Sequence, residues 1–413
     1  MMRRIVLWTA ALVAAALVAL ALKLHIAGTT VGSNDVLAWR RFAKEVTTLG
    51  GLETYRVDPD MNHPPFIVLM LQAIHFVDHR TALPFFFWIR LPAILADVAM
   101  LAIVAWRYPP VGSRRGAALL LLALAPPLVM ISGFHGNTDA VMVTFAVLAA
   151  VLLDQRRHPA LAGIAWGMSL NIKIVPIILA PALLPAIPTW RGRFAFGVTA
   201  ALTAGLPTLP YALAEPRLLL RQILFYPSLS GQWGYTRLIG LFEEHGWAAA
   251  VDELARDWGR LLLMVAIMAV SLWQARYARQ TSAFWRCGAV FATFFALTPG
   301  FGVQYLAWMV PWVVALGPGI ALAVYGTSGL FLFEVYQTSA KSWPWWYAEV
   351  AGWTDYPHII RLEQIAWLTI CGALILFLTR QDDALNAVSR RPPEPDSAAG
   401  FGQHEGGRPS GGR

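Results

Sequence analysis

Charge is scarce in this chain. Only 14% of its 413 residues are Asp, Glu, Lys or Arg, against about 25% in ordinary soluble proteins. That shortage argues against a domain with a solvated surface, and the 57% hydrophobic content shows what replaces the charge. Apolar runs recur along the chain, several near the ~20 residues that cross a bilayer as a helix. Helices satisfy their own backbone polar groups, which lipid cannot do. An all-α polytopic membrane protein is therefore the economical reading, and a soluble bundle of buried helices the lesser one.

Other things are missing too. Cys287 and Cys371 both sit in or beside apolar runs, without metal-ligand spacing, so a disulfide framework and a cysteine metal site are excluded. There is no glycine-rich phosphate loop and no convincing cytoplasmic catalytic domain, which removes nucleotide-sugar machinery from consideration. Acidic residues are outnumbered, 24 against 32 basic. In a soluble protein the net charge of +8 would suggest nucleic acid. Here much of the excess lies in short loops between apolar runs, where it sets membrane orientation.

Those loops give a topology. Arg3 and Arg4, "RYPPVGSRR" (107–115), "DQRRH" (154–158), "TWRGR" (189–193) and "QARYARQ" (274–280) read as cytoplasmic. The run Ile5 to Leu24 exceeds a signal-peptide core and lacks a small-residue cleavage site, so it reads as a retained first helix. Twelve spans are expected, near 5–24, 83–106, 117–133, 137–153, 160–171, 174–187, 194–213, 259–275, 282–298, 303–320, 321–336 and 362–380, with both termini inside. The loops require an even number of crossings over 160–187, which forces two short helices around "NIK" (171–173). Residues 25–82, 214–258 and 337–361 then lie outside, with 64–76 a juxtamembrane helix too short for a span. The tail 381–413, rich in Pro and Gly, is expected to be disordered.

What polar chemistry remains gathers on one face. "GFHGNTD" (133–139), "NIK" and "TPGFGVQY" (298–305) all fall at outer helix ends, while "SNDV" (33–36), "DMNHPPF" (60–66), "SWPWWY" (342–347) and "HIIR" (358–361) lie in exterior loops. Ionisable groups at membrane depth are costly and point to function. Each has a plainer reading beside that one. Asn137 or Asp139 can cap a helix, His135 can be a packing residue, Asp35 can decorate a loop or turn, and Trp343 to Tyr347 can be an interfacial belt or a platform. "DPD" (58–60) is either a turn around Pro59 or a divalent-cation motif without an evident third ligand. Lys173 is the hardest to dismiss, because its short loop leaves little room to snorkel and a lone cation there meets an anion.

Taken in order, these residues resemble the GT-C superfamily of membrane glycosyltransferases that use polyprenyl-phosphate sugars. The resemblance rests on one helix followed by an early exterior acid (Asp35), then "NHPPF" in place of a "(Y/H)PP" stretch. "GFHGNTDAV", "LNIKIVPIILAPALLP" (170–185) and "LTPGFGVQYLAWMVPW" (297–312) complete it. It covers roughly residues 1–380 and is similar to bacterial mannosyltransferases and to the glucosyltransferases of N-glycan assembly. Gln304-Tyr305 stands where the latter carry a charged pair, and His63 stands for a tyrosine.

The resemblance implies a GT-C catalytic domain over 1–380 and an inverting transfer of mannose or glucose. The donor would be a polyprenyl-phosphate carrier and the acceptor a hydroxyl of a glycolipid or lipid-linked glycan. The site would face the exterior of a bacterial-type plasma membrane. It makes Asp35 the general base, and Lys173, Arg237, His358 and Arg361 the cations available to the phosphate. His63, His135, Asn137, Asp139, Gln304, Tyr305 and Trp345 would hold sugar or orient the loop. Neither a metal nor a cofactor is expected, and nucleic acid is not a partner. A transporter or flippase of lipid-linked sugars is the rival, and a non-catalytic scaffold a third reading; a transporter would call for inverted repeats or a two-sided polar path.

Overall fold

The computed structural model describes residues 2–156, 158–224, 231–242, 245–278 and 281–380. The tail 381–413 lies outside them, as do parts of the segment 214–258 and of two basic loops. The chain opens with α1 (Met2–Thr29), then α2 (Asn34–Thr48), α3 (Gly51–Val57) and α4 (Phe66–Asp78). The helices α5 (Phe85–Arg107), α6 (Ser113–Ala123) and α7 (Pro126–Leu128) follow, and a π-helical turn continues α7 to His135. Next come α8 (Asp139–Val151), α9 (Pro159–Ile172), α10 (Ala180–Leu183), α11 (Trp190–Ala214), α12 (Pro216–Ile223) and α13 (Gly234–Gly240). The last four are α14 (Gly246–Tyr277), α15 (Ala283–Leu297), α16 (Pro318–Ala340) and α17 (Pro357–Thr379). Two short strands, β1 (Gly32–Ser33) and β2 (Tyr347–Ala348), pair in parallel.

Among the described residues, seven helical stretches are long and apolar enough to cross a bilayer: α1, α5, Ser113–His135, α11, α14, α16 and α17. They fall on seven of the twelve expected spans. The other five expected spans are shorter or broken. α8, α9 and α15 have 13, 14 and 15 residues. Residues 174–187 form two 3-10 turns around α10, where Pro176, Pro181 and Pro185 remove backbone donors. Residues 303–316 form two more 3-10 turns, and α16 starts afresh at Pro318.

This division has a geometric result. At 1.5 Å per residue, a helix the length of α8 or α15 covers roughly 20 Å, about two thirds of the ~30 Å hydrocarbon core. These short helices are apolar on all sides and sit inside the bundle, as they must; every residue of α15 from Ala283 to Ala296 is buried. The longer α1, α11 and α14 turn most of their surface outward. At one end the short helices are tied together: the Asp154 carboxylate accepts the Ala283 and Phe284 amides that start α15, at 2.7 and 3.2 Å, and pairs with Arg107 at 3.2 Å. At the other end they stop short, and a hollow remains among the taller helices.

The segment between α1 and α4 lines that hollow through Asn34, Asp35, Trp39 and His63. The sequence suggests a loop around Asp35, but the residue stands in the first turn of α2, because Ser33 caps that helix. Arg41 on α2 bonds both Asp58, at 2.8 Å, and Asp60, at 3.0 Å, so the "DPD" turn folds back onto its own helix. Buried Arg90 of α5 donates to the carbonyls of Val31, Thr30 and Gly133, joining the end of α1 to the turn that carries His135. The strand pair adds the loop after α16: Val31 and Gly32 donate their amides to the Trp346 carbonyl, at 2.8 and 3.1 Å.

Candidate active site

Asp35 is held from three directions. Ser33 Oγ accepts the Asp35 amide at 3.2 Å and donates to the His135 carbonyl at 2.7 Å, linking the α2 cap to the π-turn. The Asp35 carboxylate receives Asn137 Nδ2 at 2.7 Å and faces His135 Nε2 at 3.0 Å. Both contacts fall on Oδ2. Among the described residues no hydrogen bond reaches Oδ1, and Asp35 lines a cavity of about 640 Å³. Burial alone would raise the pKa of Asp35. The charge and hydrogen bond of His135, the Lys173 charge and the Asn137 hydrogen bond outweigh it and hold the acid below its usual value.

The turn between His135 and Asp139 owes its path to Gly136, whose φ of 79° suits glycine. A Cβ there would stand 2.3 Å from the Val36 side chain, next to Asp35. Asp139 opens α8 and is fully buried; Lys173 Nζ bonds both of its oxygens at 2.9 Å, and the Trp308 indole donates to it as well. Lys173 is extended, with φ −148° and ψ 145°, and this break at the end of α9 turns its side chain toward α8. Tyr305 and Trp308 stack at 4.1 Å, and Lys173 Nζ lies 5.5 Å from the Tyr305 ring.

The model of glycosyltransferase family 87 matches residues 62–299. The chain belongs to that family. It is a glycosyltransferase, and its long apolar helices make it a polytopic membrane protein. Comparison with curated proteins and with solved structures gave no significant match.

Within this glycosyltransferase, Asp35, His63, Asn137, Lys173, Gln304 and Tyr305 all line the one cavity. His135 and Asp139 stand directly behind Asp35 and Lys173. His63 packs against Trp39, with ring centroids 4.5 Å apart. Burial, and then the Lys173 charge, push its pKa down to about 3, so it is a neutral ring at ordinary pH.

Six residues suggested by sequence are not among the lining of this cavity: His135 and Asp139, which stand behind it, and four that lie elsewhere. Arg237 donates to the Thr354 carbonyl near the start of α17. His358 is exposed, 3.7 Å from Glu334, and Arg361 is exposed on the next turn. Their i, i+3 spacing does put them on one helix, but that helix face looks away. Trp345 is buried against Phe134 and Tyr336 and bonds Gln337 at 3.0 Å, so it supports the π-turn from behind. Lys173 also differs from a lone cation, because Asp139 answers its charge.

Other lining residues were given no site role by the sequence reading, Asp60 being read only as part of the "DPD" turn or cation motif. Asn34, Trp39, Asp60, Asn62, Trp308 and Arg260 all face the cavity. Asn34 and Asn62 sit beside residues already singled out, so proximity could have found them. Arg260 carried a signal as well: an arginine at the edge of an apolar run, which reads as an ordinary loop charge. Trp308 had none.

Proposed function

We propose that this family 87 enzyme moves a hexose, mannose or glucose, from a polyprenyl-phosphate carrier to a hydroxyl of a glycolipid or lipid-linked glycan on the exterior membrane face, with inversion. The single observation that carries the reading is Asp35: two side chains fix one carboxylate oxygen, the other takes no hydrogen bond among the described residues, and the residue lines the cavity. In the proposed step Oδ1 takes the proton of the acceptor hydroxyl. The acceptor oxygen forms its bond to the anomeric carbon as the bond from that carbon to the phosphate oxygen breaks. The electron pair leaves with the phosphate, so the leaving group needs positive charge and no proton.

Surroundings of this kind suit a base. Its pKa is depressed, so the carboxylate is ionised throughout the neutral range. Neutral His63, with Asn34 and Asn62, supplies polar contacts for hydroxyls without adding charge. Gln304 and the stacked Tyr305 and Trp308 line the cavity beyond them, an amide and an aromatic pair that fit a sugar ring. Lys173, paired with Asp139, and Arg260 are the Lys and Arg side chains that line the cavity among the described residues, and neither a metal nor a cofactor is part of the proposal. Transfer is expected to continue in excess EDTA; a loss reversed by added magnesium would replace this charge assignment.

The deciding experiment uses purified protein, a panel of short-chain polyprenyl-phosphate sugars and membrane glycolipid acceptors, with wild type beside Asp35→Asn. Product from wild type only, with unchanged thermal stability and donor binding in the variant, is the expected result. Most of the activity surviving in Asp35→Asn would remove the base assignment.

A further inference from the structure

We infer that Arg90 is a positioning residue for the transfer: it fixes where Asp35 stands relative to His135 and Asn137. The inference rests on Asp35 being the base proposed above, and it concerns a residue outside the cavity lining. Two separate pieces of chain build the group around the base. One is the end of α1 with Gly32 and the Ser33 cap, which delivers Asp35. The other is the π-turn with Gly136, which delivers His135 and Asn137. Asp35 and His135 are 100 residues apart in the chain, so something must hold the two pieces in register.

The Arg90 guanidinium is wedged between them. Nη1 donates to Thr30 Oγ1 at 3.0 Å and to the Thr30 and Gly133 carbonyls at 3.3 Å, while Nη2 donates to the Val31 carbonyl. Longer contacts, at 3.5 Å, reach the Ile26 and Ala27 carbonyls in the last turn of α1. The fit is close on both sides. Gly32, with φ 95°, has no room for a Cβ, which would run into Arg90 Nη2. A Cβ on Gly136 would stand 3.1 Å from Arg90 Nε. One guanidinium thus sets the gap between the residue before the Ser33 cap and the residue that separates His135 from Asn137.

The choice of arginine follows from these contacts. Arg90 is fully buried, and among the described residues no carboxylate pairs with it. Burying a cation without a counter-charge is costly. Here the negative end of the α1 dipole, with its terminal carbonyls, offsets the cost. A planar guanidinium reaches oxygens on two chain segments at once, whereas an ammonium puts all its donors at one point. The charges that act on the Asp35 carboxylate are those of His135 and Lys173, so Arg90 works through position. Without it the two pieces can part, and the Asp35 Oδ2 contacts to Asn137 and His135, at 2.7 and 3.0 Å, are the first to lengthen.

The test compares wild type, Arg90→Lys and the milder Thr30→Val, which removes one acceptor of the guanidinium, in nanodiscs. Gly163→Ala serves as a control for lowered stability, and Asp35→Asn assigns the Asp35 carboxyl band. There are two readouts: kinetics with a short-chain polyprenyl-phosphate sugar, and an infrared titration of the Asp35 carboxyl that needs no substrate. His135, Lys173, His63 and Tyr336 are the charged or titratable groups facing Asp35, and all the variants keep them. Arg90→Lys should lower kcat roughly ten- to a hundredfold with KM little changed. It should also move the Asp35 titration and the acidic limb of kcat/KM to higher pH, and Thr30→Val should follow by less. Gly163→Ala should melt earlier and leave both readouts in place. An Arg90→Lys enzyme that melts earlier yet keeps the wild-type kcat and titration overturns the proposal. If Arg90→Lys does not fold, Thr30→Val decides: a raised titration supports the proposal and an unmoved one overturns it. Transfer surviving in Asp35→Asn, or missing from wild type, would sink the base or donor reading instead, while the titration still reads whether Arg90 sets that carboxylate.

Discussion

Each of the residues around Asp35 has a separate, measurable part. Removing a hydrogen bond that favours the carboxylate raises its pKa. Asn137→Ala is therefore expected to move the acidic limb of kcat/KM toward higher pH, where wild type keeps that limb below the ordinary carboxylate value. A pH–rate profile checks it, and an unmoved limb would separate Asn137 from the base. His63 acts on stability in the opposite chemical sense. Unfolded histidine takes a proton near 6.5, while folded His63 resists until about 3. The unfolded state then binds more protons across that window, so stability falls as pH drops from about 6.5 to 3. His63→Phe should flatten this dependence in thermal melts taken across the same range. Lys173→Met strands the Asp139 carboxylate in the interior, a loss of roughly 3–5 kcal/mol, and the double variant with Asp139→Leu should regain much of it.

At the scale of elements, small residues decide how closely helices approach. Gly163 and Gly167 of α9 pack on α11; a Cβ on the first would stand 2.2 Å from Thr199 Oγ1 and 2.3 Å from the Phe196 carbonyl. Gly163→Ala must push these helices apart, and a lower melting temperature in detergent is the expected outcome. Legibility also divides at this scale. The long spans could be read from apolar length alone, and arginine-bearing loops fixed where the hairpin around Lys173 turns. Asp35, His63, His135, Asn137, Asp139 and Lys173 could be found as polar residues in apolar company. Distances were hidden, however: sequence spacing cannot show that Asp139 meets Lys173, or that α17 turns His358 and Arg361 outward. Nor does hydropathy separate a helix that crosses lipid from a short one buried in protein, since both are apolar on all sides. That is why α8, α9 and α15, with 13, 14 and 15 residues, read in sequence like the longer helices.

For the whole molecule, the open question is orientation. The exterior proposal places α2, α13 and the loop after α16 outside, and Ser113 and Trp190 inside. Single cysteines at Lys44 and Trp346 should react with an impermeant maleimide in intact cells, while those at Ser113 and Arg191 should react only after permeabilisation. The reverse pattern would put the cavity on the cytoplasmic face. Finally, the two-residue ladder between β1 and β2 sets an order in time. A ribosome makes Asp35 early, but the strand that braces its helix, Tyr347–Ala348, emerges more than three hundred residues later. Nearly every residue around the cavity is already synthesised by then. The nascent enzyme thus passes through most of its insertion without this one brace, and the loop after α16 completes a site that the segment after α1 began. A chain stopped at Ala340 would span the membrane and remain inactive, and residues 341–380 supplied as a separate segment are the piece that should restore it.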